Sequence, residues 1–182
     1  MILLYSHTIT ARLQYICSFI FKEQLGVECI LANDQPQAEA FDGPVINYSN
    51  QTLNCFCFKL PPASLLFETD IHEQNINCFD HGDFKAFYRI GDKSDFTFDI
   101  LAASFYLLSR YEEYLPHTKD MYGRYAHESS LSFKEDFLHL PLINIWLSDF
   151  VKALEKKFEP FTFKRKVFSF LPTYDIDIAY SY

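Results

Sequence analysis

Two short apolar runs separated by one helix-length amphipathic stretch constrain this fold more than any other feature. Residues 2–5 read Ile-Leu-Leu-Tyr, an apolar run of strand length. Leu13, Ile16, Cys17, Ile20 and Phe21 follow at i, i+3, i+4 spacing, and Thr8 or Thr10 stands where a helix N-cap belongs. Gly26 suits the position just past the helix end, and a second apolar run, 27–31, begins at once. Strand, helix and strand in this order form a β-α-β unit, with parallel strands and a right-handed crossover. Asp42-Gly43-Pro44 punctuates the chain, and 45–48 then supplies a third short strand for the same sheet.

The rest of the chain adds two longer helices. Asp99 or Thr97 caps one that carries Ile100, Leu101, Ser104, Leu107, Leu108 and Tyr111 on a broad face; Ile145, Trp146, Asp149, Phe150, Ala153 and Leu154 mark the period of the other. Residues 54–58, 84–88 and 167–171 are strand-like, with Pro61-Pro62 and His81-Gly82-Asp83 breaking the middle. The expected class is α/β: a β-α-β start and a small mixed sheet flanked by three main helices, near 10–25, 99–114 and 142–158. The domain division expected is 1–165 for this unit and 166–182 for the first strand of another. The chain is long enough to bury its own core, and 20 Phe and 12 Tyr predict that large flat side chains fill it.

Charge and cysteine usage narrow the function. A formal net charge of -8 repels a phosphate backbone, so nucleic acid is not an expected partner. The one basic run, Lys164-Arg165-Lys166, reads as a solvated strand edge. Five Cys is an odd number; Cys17 and Cys29 lie among apolar residues, and Cys55 and Cys57 share a strand face without completing a zinc site. No apolar run approaches the ~18 residues of a membrane span, and the first residues lack the basic region of a signal peptide, which makes the cytoplasm the default location.

Three places could carry chemistry. The opening fifty residues are Rossmann-like in order, but the first turn, Ser6-His7-Thr8-Ile9-Thr10, has no glycine to admit a pyrophosphate, so the dinucleotide reading fails. Ser6 and His7 nevertheless stand at the carboxyl end of a parallel strand, where α/β folds place ligands. Near the end of the second helix, Arg110, Glu112 and Glu113 are followed by a polar aromatic loop containing Arg124. If these four converge they form a partly buried network at a domain junction or ligand site; otherwise Arg110 and Glu113 are an ordinary surface pair. Finally, the apolar run 167–171 delivers Thr173-Tyr174-Asp175-Ile176-Asp177, a D-x-D in which one carboxylate could bind a divalent metal while the other takes a proton from water.

Read together, Ser109-Arg110-Tyr111-Glu112-Glu113-Tyr114-Leu115-Pro116, Tyr122-Gly123-Arg124-Tyr125, Leu140-Pro141-Leu142-Ile143-Asn144-Ile145-Trp146 and the Thr-Tyr-Asp-Ile-Asp segment resemble the N-terminal region of bacterial polysaccharide deacetylase-like proteins. In these, an α/β domain precedes a deacetylase-type barrel whose first catalytic motif is Thr-[Phe/Tyr]-Asp. The resemblance covers roughly 98–180 well and the first ninety residues in general order. It implies Asp175 as the general base, Asp177 as a metal-binding acid, and zinc or a similar divalent metal in the full-length parent. Two departures stand out: Ile176 separates acids that are adjacent in the better-known deacetylases, and His7, His72, His81, His117, His127 and His139 never occur four apart, so the family's metal-binding histidine pair is missing. The resemblance therefore implies a non-catalytic leading domain that holds no cofactor of its own. It would pack on the downstream barrel or aid its recognition of polysaccharide. A stand-alone interaction or scaffold domain, and a self-contained hydrolase using His7, are the alternatives.

Overall fold

The computed structural model describes residues 1–163 and 169–174. At its centre lies a four-stranded parallel sheet in the order β2-β1-β3-β4, built from β1 (Ile2–Tyr5), β2 (Cys29–Ala32), β3 (Val45–Asn47) and β4 (Phe58–Lys59). β1 pairs with β2 from Ile2 opposite Cys29 to Tyr5 opposite Ala32, and with β3 from Leu3 opposite Val45 to Tyr5 opposite Asn47. Between β1 and β2 runs α1 (Ala11–Cys17), capped by the Thr10 hydroxyl, which accepts from the Leu13 N–H; it continues as π-helical turns over Ser18–Gln24. The chain then reverses at Gly26, whose φ of +65° is the left-handed conformation that a side chain would oppose.

Both faces of the sheet are covered. Ile2, Leu4, Ile46 and Phe58 enter the large core, while Leu3, Tyr5, Ala32 and Val45 join a smaller one with Leu53, Cys57 and Ala38 of α2 (Gln35–Glu39). Alternate residues of a strand point to opposite faces, so the uninterrupted apolar run of β1 serves both cores. The antiparallel component stands apart as a hairpin, β5 (Phe79–His81) with β6 (Phe84–Ala86), so the single mixed sheet expected from sequence is resolved into two.

In α3 (Ile100–Leu108), every residue from Ile100 to Tyr106 is buried, the signature of a central helix. It stops at Leu108, six residues short of the expected end. Arg110 turns into the left-handed region (φ 52°, ψ 44°), and the chain resumes as a 3-10 turn over Tyr111–Tyr114. After the short α4 (Leu131–Lys134), α5 (Leu142–Lys157) packs Trp146, Phe150 and Leu154 into the large core. Trp146 meets Phe87 and Phe98 edge-on with ring centroids 5.6 and 5.2 Å apart, and its indole N–H donates to the Lys85 carbonyl at 2.9 Å. The core is aromatic as composition requires, and this buried indole has its polar tip paired.

The strand expected over 54–58 is reduced to β4, which meets β3 at only two positions. Cys55 and Cys57 still turn toward the smaller core, Phe56 between them is exposed, and all five cysteines are free thiols. Of the strand expected over 167–171, residues 167 and 168 lie outside the described residues, 169–171 pair with no strand among those described, and Phe170 and Leu171 are 80% and 84% exposed. Lys164, Arg165, Lys166, Asp175 and Asp177 lie outside the described residues. Among those described, no helix is long and apolar enough to cross a membrane.

One fully buried carboxylate links these parts. Asp99 caps α3 by accepting from the N–H groups of Leu101 (3.1 Å) and Ala102 (3.0 Å) through Oδ1, while Oδ2 accepts from the Tyr48 hydroxyl and the Ala63 N–H, both at 2.7 Å. Burial pushes its pKa up from 3.8 to about 6, and the four donors hold it from rising further. Because the folded state then binds this proton more tightly than the unfolded chain, Asp99's contribution to stability is full below about pH 4 and is lost as pH rises through 6. Asp99→Ala removes a helix cap and strands two buried donors, for an expected loss of about 3–5 kcal/mol in denaturant unfolding. Asp99→Asn keeps the shape but faces the Ala63 N–H with an amide, and is expected to cost about 1–3 kcal/mol. The difference between wild type and Asp99→Asn should be largest near pH 4 and shrink toward pH 7.

Candidate functional site

The sheet order makes one place special. From β1 the chain crosses to β2 on one side, then returns past β1 to β3 on the other, so α1 and α2 cover opposite faces and a crevice opens where the two connections diverge. Ligands of open α/β sheets bind at this switch point, outside the carboxyl ends of the strands. Here that position is an open cleft of about 460 Å³, within the roughly 300–1,000 Å³ range of small-molecule sites.

Three segments build it. His7 and Thr8 follow β1, residues 48–51 follow β3, and the far wall is Pro62, Ala63, Ser64 and Phe67. The loop after β3 is held by its own side chains: Asn47 donates to the Gln51 carbonyl at 2.8 Å, Ser49 donates to Asn47 Oδ1 at 2.6 Å, and the Gln51 N–H donates back to Ser49 at 3.1 Å. Tyr5 adds a hydrogen bond to Gln51 Oε1 at 2.8 Å. Opposite, Thr10 donates to the Leu66 carbonyl at 2.5 Å and Arg12 donates to the carbonyls of Leu65 and Asp70 at 2.7 and 2.8 Å, pinning the far wall to the start of α1. Asp99 joins both walls from beneath through Tyr48 and Ala63. His7, Thr8 and Asn50 are exposed, and their side chains engage no protein partner among the described residues. Sequence reasoning found Ser6 and His7 of this site; Ser6 is fully buried and donates to the Thr8 carbonyl, leaving His7 at the cleft. The far wall gave no sequence signal, because it reaches the cleft only through tertiary contacts.

The four residues expected to form a network separate instead. Arg110 is not on α3 but beyond its end, where it pairs with Glu113 through Nε and Nη2 while its side chain stays 71% exposed. Arg124 pairs with Asp120 at 3.1 Å and lies over the Tyr122 ring at 4.8 Å. Glu112 turns elsewhere: its Oε1 accepts from the Leu131 N–H at 2.6 Å, at the N-terminus of α4, and burial pushes its pKa up. Arg110, Glu113 and Arg124 do line one open cleft of about 750 Å³ with Asp120, but as two separate ion pairs. Among the described residues, no group of three or more His, Cys, Asp or Glu comes together as a metal site. Asp175 and Asp177 fall outside that set.

This separation has measurable consequences. Glu113→Gln breaks an exposed pair and should change unfolding free energy by less than about 1 kcal/mol. Glu112→Ala leaves the Leu131 N–H without its acceptor and should cost more, about 1–2 kcal/mol, with Glu112→Gln restoring most of it. Equal losses for Glu113→Gln and Glu112→Ala in an unfolding comparison would contradict the geometry.

No curated protein and no solved structure matches the chain. Residues 2–159, from the first strand to the end of α5, match the family of unknown function DUF7033, and the chain belongs to that family.

Proposed function

We propose that this domain is a non-catalytic module that accompanies a polysaccharide deacetylase-like catalytic domain, packing on it or aiding its recognition of glycan. The observation that carries the reading is the stretch after the family domain. Phe170, Leu171 and Tyr174 are 80%, 84% and 83% exposed, outside both hydrophobic cores, in a segment whose sequence runs into the Thr173-Tyr174-Asp175 motif. Three large apolar side chains left in water belong to a packing unit other than the sheet and its helices. Asp175 as general base, Asp177 as a metal ligand and a divalent metal such as zinc are assigned to that unit. The reading places the protein in the cytoplasm, in keeping with Cys17 and Cys57 buried as free thiols.

Reading the gene past Tyr182 tests the parent class, with a His-x-x-x-His motif as the expected finding. The longer protein should release acetate from acetylated chito- or xylo-oligosaccharides with zinc or cobalt, and residues 1–182 alone should release none above buffer. Turnover by 1–182 that Asp175→Ala abolishes would overturn the non-catalytic assignment.

A further inference from the structure

We infer that the cleft at the carboxyl ends of β1 and β3 binds one neutral sugar ring of a glycan, its apolar face against Phe67 and Pro62 and its hydroxyls on His7, Thr8, Asn50 and Gln51. The argument starts from what the lining lacks. Among the described residues, no Asp, Glu, Lys or Arg lines this cleft, although the chain as a whole carries 40 such residues, 16 basic and 24 acidic. A phosphate or carboxylate would find no cation there, and no glycine turn brings the backbone N–H groups close, since the segment after β1 is Ser6-His7-Thr8. A fully apolar ligand fits no better, because it would cover the His7, Thr8 and Asn50 side chains, which have no partner among the described residues to replace water.

What remains is a ligand with one apolar face and an edge of neutral donors and acceptors. The cleft is divided in the same way. Phe67, stacked on buried Tyr48 with ring centroids 6.0 Å apart and planes 30° from parallel, and Pro62 form the flat wall. The same lining carries an imidazole, a hydroxyl and two amides, from His7, Thr8, Asn50 and Gln51, each able to donate or accept. The Gln51 amide is held in place, since Tyr5 donates to its Oε1 at 2.8 Å. The walls are pre-set by the hydrogen bonds of Asn47, Ser49, Thr10, Arg12 and Asp99, so little ordering is left for the ligand to impose. The Arg110–Arg124 cleft offers no comparable site, because each guanidinium is already matched by its own carboxylate.

This inference deepens the proposed function and rests on it for the choice of a glycan; the cleft chemistry alone specifies a neutral sugar. The test titrates the 182-residue chain with N-acetylglucosamine, its tetrasaccharide, xylose and inorganic phosphate, followed by amide chemical shifts. At least one sugar should produce saturable shifts centred on residues 7–8, 48–51 and 62–67, and phosphate should produce none there. Asn50→Ala and His7→Ala, both surface changes, should each weaken binding about fivefold or more with the thermal midpoint unmoved, and Phe67→Leu should weaken it similarly by removing the stacking face. Tighter binding of the tetrasaccharide supports a glycan chain; equal affinity for the single sugar overturns that part. Absence of saturable shifts with every sugar, shifts mapping elsewhere, or affinity unaltered in the Asn50→Ala, His7→Ala double variant overturns the site. The acetate assay reads the parent enzyme and this titration reads the cleft, so each can fail alone.

Discussion

A single buried carboxylate holds the architecture in register. Asp99 sits where the central helix begins, yet only two of its four hydrogen bonds serve that helix; the others reach Tyr48 after β3 and Ala63 in the following loop. Placing a carboxylate in an apolar interior is costly, and burial is the dominant influence on Asp99, with donors from three segments opposing it. That cost makes the arrangement specific. Any shift of the helix, the sheet end or the loop would strand a donor or leave the charge bare, so the three segments are fixed relative to one another. Both walls of the switch-point cleft hang from this residue, which connects the stability of the fold with the shape of that crevice.

Around that hub the packing is aromatic. Phe87, Phe96, Phe98, Phe150 and Trp146 meet in tilted and edge-on contacts at 5.0 to 5.6 Å, an arrangement that favours the positive ring edge against the negative ring face. Arg12 extends the theme to the surface, lying 5.7 and 5.6 Å from the Phe105 and Tyr111 rings while it donates to the carbonyls of Leu65, within the 3-10 turn Ser64–Phe67, and of Asp70 beyond it. One cation thus ties α1, α3 and the cleft's far wall. Interactions of this kind rigidify a binding surface without contributing a contact to the ligand.

The charged cluster beyond α3 illustrates the opposite case. Arg110, Glu113, Asp120 and Arg124 are close in space, but two exposed pairs in water share little energy, and neither leaves a free cation or anion for a ligand. Glu112, adjacent in sequence, has a different task because its side chain leaves the surface and accepts from the first N–H of α4. Residues that looked like one constellation along the chain are two surface pairs and one structural acceptor.

The sequence by itself determined the elements whose information is local. Period-3.6 spacing marked α1 and α5, the pairs Thr8 or Thr10 and Thr97 or Asp99 offered their helices caps from which the structure uses Thr10 and Asp99, and the apolar runs of β1, β2 and β3 with Gly26 after α1 specified a parallel β-α-β start. The end of α3 was not legible, because nothing in residues 109–114 forbids helix; Arg110 in the left-handed region breaks it. The hairpin's separation from the main sheet was equally hidden, since strand pairing depends on partners distant in the chain. The cleft divides along the same line. His7 was readable as a residue following a parallel strand, whereas Asn50, Pro62 and Phe67 join it only because Asp99, Thr10 and Arg12 draw segments 36 to 58 residues apart together. Local periodicity and capping are written in neighbouring residues; which segments meet is decided by burial and long-range hydrogen bonds that exist only once the chain has folded.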